Sequence, residues 1–110
     1  MILTSPVKKY SGTIVLYDNF TLPQCELIEA CMDDISSIPT GERVRFTTLD
    51  KPRLPAILAC VSEWHVDNFP ERVTIENFPL TPRRVGHELV EFIWGEIFKV
   101  YLGEQEIPNE

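Results

Sequence analysis

Basic side chains are scarce in this chain, and their scarcity excludes more than any motif present. Ten Lys and Arg stand against 17 Asp and Glu, a formal charge of −7 over 110 residues. A nucleic-acid binder needs a basic face for phosphates, and an anionic membrane surface would repel this balance. Long apolar runs are absent too, none nearing the ~20 residues of a membrane-spanning helix. Met1-Ile2-Leu3-Thr4 has neither the charged start nor the apolar stretch of a secretory leader, so the expected location is the cytoplasm. Cysteine is limited to Cys25, Cys31 and Cys60, an odd number without CxxC spacing, which argues against a disulfide scaffold. Each lies in an apolar helical pattern, where a thiol acts as a small hydrophobe. With 44% hydrophobic and 25% charged residues, the chain has the composition of one ordinary globular domain.

Catalytic and metal-binding patterns are equally sparse. The five glycines never cluster into a phosphate-cradling loop or an oxyanion turn beside a cysteine. The two histidines are His65 and His87, both expected at the surface or a helix end. Cys60 and His65 supply one loose pair of ligand types, whereas a structural zinc site wants four ligands. Asp33 and Asp34 are adjacent, about 100° apart on a helix, which is poor geometry for shared acid–base work. The expectation is a protein without enzymatic activity, metal or cofactor.

What is present is periodic. Gly12-Thr13-Ile14-Val15-Leu16 is rich in β-branched residues and ends at the turn pair Asp18-Asn19, so it reads as a strand with Val7–Tyr10 as its hairpin partner. A first helix opens with Thr21, Pro23 and Gln24, a capping box. It carries an apolar stripe of Cys25, Ile28, Met32 and Ile35, and stops at the breakers between Ser36 and Gly41. Arg43 to Thr48 alternates charged and apolar residues as a half-buried strand does. A second helix is expected from about Leu54-Pro55, with the stripe Leu54, Ile57, Leu58, Val61 and Trp64, closing between Asn68 and Pro70. Val73-Thr74-Ile75 is a further short strand candidate.

The third helix has the strongest signal. Thr81 as cap, Pro82 as first residue and Gly103 as stop enclose the stripe Val85, Leu89, Phe92, Ile93, Ile97, Val100 and Tyr101, a face ~31 Å long. Gly86 and Gly95 interrupt it at opposite sides of the helix, which implies packing on two sides unless both are merely tolerated at the surface. The chain is thus expected to be a helix-dominated α+β domain over residues 1–103, with about three helices and a small N-terminal hairpin or antiparallel sheet. An acidic mobile tail over 104–110 follows it. Residues 10–41 hold five acids and no base, and residues 86–110 six acids against Lys99, which suggests self-association or partner docking through complementary patches. Trp94 lies off the main stripe, on a second contact surface or at the edge of the core. The residues expected to meet a partner are Trp94, Gly95, Trp64, Phe92 and Tyr101.

The order of phrases resembles that of a known family. Gly12 to Asp18 followed by Thr21-Leu22-Pro23-Gln24 is similar to the opening of the small tail assembly chaperones of long-tailed phages and prophages. Leu54-Pro55-Ala56-Ile57-Leu58 with Glu63-Trp64, Phe78-Pro79-Leu80-Thr81-Pro82, and Tyr101-Leu102-Gly103-Glu104 before Glu106 to Glu110 extend the likeness over most of the chain. Ser36 to Thr48 has no counterpart in it. The resemblance implies a non-enzymatic protein of the host cytoplasm. Such a protein binds the tape measure protein, recruits tail tube subunits, and leaves before the virion is complete. Many relatives also make a longer form by translational frameshifting. The motifs are structural, so no functional residue is carried over from the family. The competing expectation is a structural or adaptor protein that stays in a phage or phage-derived tail.

Overall fold

In the computed structural model, which describes residues 1–39, 41 and 44–103, three helices pack on one side of a small antiparallel sheet. The strands are β1 (Ile2–Thr4), β2 (Gly12–Leu16) and β3 (Val61–Val66), and the helices are α1 (Leu22–Ser36), α2 (Phe46–Cys60) and α3 (Arg83–Leu102). β2 lies in the centre, pairing Leu3 with Ile14 on one side and Ile14 with Trp64 on the other. Leu3, Ile14, Leu16 and Val61 are buried, whereas Ile2, Thr4, Glu63 and His65 are exposed, so one face meets the helices and the other faces water. The fold class is the expected α+β.

α1 and α3 form where their sequence signals lie. The Thr21 N–H donates to Gln24 Oε1 at 2.6 Å, and the Gln24 amide donates to the Ala59 carbonyl at 2.8 Å, tying the start of α1 to the end of α2. α3 starts one residue later than expected. Pro82 is its cap, and the Thr81 carbonyl accepts the Tyr10 hydroxyl at 2.8 Å. Gly103 ends the helix in the left-handed region with φ 74°. Gly86 is required by a close approach, because a Cβ there would stand 2.6 Å from the Leu80 backbone. Gly95 faces open space on the exposed side of the helix.

The middle of the chain departs from its sequence reading. Of the expected strand from Arg43 to Thr48, Arg43 lies outside the described residues and Phe46 already begins α2, which runs through Pro52 and Pro55 to Cys60. Two interior prolines, each worth roughly 3 kcal/mol against a helix, hide that helix from its sequence. Burial of Leu54, Ala56, Ile57 and Cys60 outweighs them. The expected second helix beyond Cys60 is instead β3. The ladder between β2 and β3 shifts between Val15 and Leu16, whose partners are Glu63 and Val61, so Ser62 is an extra residue, and its hydroxyl donates to the Val15 carbonyl at 3.1 Å. That bulge turns the inward step from two residues to three, so Val61 and Trp64 share a face and mimic helical spacing.

Two smaller strand expectations also fail. The partner of β2 is Ile2–Thr4, and Lys8–Tyr10 forms a single 3-10 turn that sends Tyr10 into the core. Val73–Ile75 makes no strand, because the Asn77 side chain accepts from the Thr74 N–H at 2.7 Å and donates to the Arg72 carbonyl at 2.7 Å, folding the segment into a turn. The tail over 104–110 lies outside the described residues. Among the described residues, no helix is long and apolar enough to cross a membrane.

Candidate partner-binding surface

α3 has two working faces. Gly86, Leu89, Val90, Ile93 and Ile97 form the buried one. On the next arc Trp94, Phe98 and Tyr101 follow at steps of four and three, their ring centroids 6.1 and 5.9 Å apart. These rings are only partly covered by the rest of the chain. Both α1 and α3 pack on α2, and Met32, Ile35 and Ser36 of α1 face Trp94 and Phe98 across a cleft of about 260 Å³ that Arg53 of α2 also lines. At one end the Tyr101 hydroxyl donates to Glu29 at 2.6 Å, a bond to a carboxylate that raises the phenol's pKa above its usual value.

The five residues expected at a partner surface are divided by the structure. Trp94 and Tyr101 lie together on the aromatic arc, and exposed Gly95 sits beside it. Phe92 points away, about 160° around the helix from Trp94, and is half-buried against the core. Trp64 is on β3 in an internal cluster, stacked on Phe69 at 5.1 Å and edge-on to Phe78 at 5.6 Å. Phe98, Met32 and Ile35 also belong to the cleft; Met32 and Ile35, expected on the apolar stripe of α1, line it instead, and Phe98 is outside the expected contact set. Phe98 follows Trp94 at i+4 and could have been found from that spacing, whereas the α1 side of the cleft depends on how helices cross.

A second feature, the buried charge network between α2 and α3, also escaped the sequence reading. Asp50 is fully buried and accepts from Arg83 Nη2 at 3.1 Å, with His87 Nδ1 2.8 Å away. His87 Nε2 lies 3.2 Å from Glu91, which accepts from Arg53 Nη1 at 2.9 Å, and Phe46 stacks on the imidazole at 4.4 Å. His87, expected at the surface or a helix end, stands near the start of α3 and is largely enclosed, while His65 is exposed on β3 and pairs with Glu63 at 3.0 Å. Both ring nitrogens of His87 face carboxylates, so the geometry suits a clasp between helices and leaves neither nitrogen turned toward a nucleophile. Arg83, His87 and Glu91 at successive steps of four were a legible face. Their counterparts Asp50 and Arg53 were not, because that stretch did not read as helix.

The cysteines occupy packing positions. Burial pushes the Cys31 thiol up to about 11 and the Cys60 thiol up to about 12, and Cys25 is half-buried. Among the described residues, no group of three or more His, Cys, Asp and Glu is arranged to hold a metal ion. No family model, curated protein or solved structure matches this chain.

Proposed function

We propose that this protein is a non-enzymatic tail assembly chaperone of a long-tailed phage or prophage, working in the host cytoplasm on the tape measure protein, tail tube subunits, or both. The observation that carries the reading is the row Trp94–Phe98–Tyr101, left partly uncovered and facing Met32 across a cleft. Aromatic and methionine side chains grouped at a surface supply contact area and adaptable fit for a protein partner. The family-like phrases from Gly12 to Asp18 and from Phe78 to Pro82 support the choice of partner. A charge of −7 keeps a protein soluble while it holds an apolar client, since like charges oppose clustering of loaded copies. In this role the cleft covers client surface until tube subunits replace it, and no covalent step is needed.

The test uses the tagged full chain, produced with the tape measure gene of its own cluster in infected or induced cells. Capture of the tape measure protein from assembling lysates, with the chain missing from purified virions by mass spectrometry, is the expected result. Finding the chain in finished virions would replace this reading with that of a structural or adaptor protein. Capture of neither tape measure nor tube protein would overturn both.

A further inference from the structure

The cleft between α1 and α3 carries a more specific partner chemistry. Its walls are apolar, from Met32 and Ile35 on one helix and Trp94 and Phe98 on the other. Its surroundings are acidic. Glu29 and Asp33 are exposed on the same side of Met32, about 60° and 100° further round α1, and Glu91 stands beside Arg53 with its side chain about half exposed. α1 contains no basic residue at all. Lys99 of α3 pairs with Glu96 at 3.6 Å, about 100° further round than Phe98. Arg53 is more than nine-tenths buried, gives one nitrogen to Glu91, and has an Nε–H with no acceptor among the described residues.

Resting on the partner-holding reading above, we infer that this cleft takes an amphipathic helix of the partner whose apolar stripe is flanked by Lys or Arg. The stripe seats between Met32 and the Trp94–Phe98 rings, in the helix-in-groove manner. The flanking bases meet Glu29, Asp33 and Glu91, which favours encounter and fixes orientation. An acidic helix with the same apolar face is rejected by the like charge of the rim.

The inference is tested with the full chain and two synthetic fluorescent helices of identical leucine face, with either lysine or glutamate on their flanks. Fluorescence anisotropy should show saturable binding of the lysine helix, weakening as salt rises, and at least about tenfold weaker binding of the glutamate helix. Met32→Asn, at an exposed position that does not threaten the fold, should weaken the lysine helix about fivefold or more, while Ile2→Asn on the solvent face of the sheet leaves it unchanged. Equal affinity for the two helices overturns the inference. So does a Met32→Asn variant that binds no worse than Ile2→Asn. The probes contain no phage sequence, so the two readings fail separately. Tape measure protein captured while the lysine helix does not bind would sink this inference alone. Lysine-helix binding without any tape measure capture would sink the tail-assembly reading alone.

Discussion

The two halves of α3 handle their outward arcs in opposite ways. In the first half, Arg83, His87 and Glu91 look toward α2, where Asp50 and Arg53 answer them and Phe46 closes over the imidazole. In the second half, Trp94, Phe98 and Tyr101 occupy nearly the same arc, look toward α1, and are only partly covered. Polar groups taken out of water must be paired within the fold, because an unpaired buried charge costs several kcal/mol. Apolar groups at a surface carry no such demand, so they can wait for a partner. The first half of this helix is therefore finished by its own chain, and the second half is open to another.

Breaking the finished half should have the largest effect. Asp50→Ala strips Arg83 and His87 of their shared carboxylate inside the protein and should cost about 3–5 kcal/mol, read as a lower midpoint in urea unfolding. A loss under about 1 kcal/mol would mean that the network is wet and loose. Next comes Gly86→Ala, whose new methyl would lie 2.6 Å from the Leu80 backbone, so the segment before α3 must shift at a cost of about 1–3 kcal/mol.

The open half predicts the opposite sign for the same exchange. Gly95→Ala places its methyl in open space on the exposed side and should stabilise by roughly 0.5–1 kcal/mol through helix propensity. Destabilisation, or a changed sedimentation coefficient at matched concentration, would show that Gly95 is already covered by a second copy. Met32→Ser should change stability by less than about 0.5 kcal/mol while weakening client capture.

The cysteines give a pH signature that belongs to the core under both halves. With the folded Cys31 and Cys60 thiols raised to about 11 and about 12 by burial, the folded chain holds these protons more tightly than the unfolded one. Their contribution is complete below the ordinary thiol value of 9.0 and is lost as pH climbs through that range toward 12. Urea midpoints measured from pH 8 to 11 should fall, and replacing both thiols by alanine should flatten that slope. Thiol reagents at neutral pH should modify Cys25 before Cys31 and Cys60.

Local chemistry alone was enough for α1, α3 and β2. A capping box at Thr21 and Gln24, a glycine stop at Gly103 and a run of β-branched residues are decided within a few neighbouring side chains, and so are written in the sequence. The aromatic arc was half legible for the same reason, since Trp94 lies off the main stripe of its helix and stands with Tyr101 among the expected contact residues, although spacing puts Tyr101 on that stripe. Tertiary structure decided the rest. It overrode two prolines to build α2, and it placed a bulge at Ser62 that made a strand look helical. It also assigned Phe92 and Trp64 to packing, and brought Met32 and Arg53 to a cleft whose walls come from residues over forty positions apart. Burial energy and charge pairing act between segments distant in the chain, so neither periodicity nor capping can reveal which segments will meet.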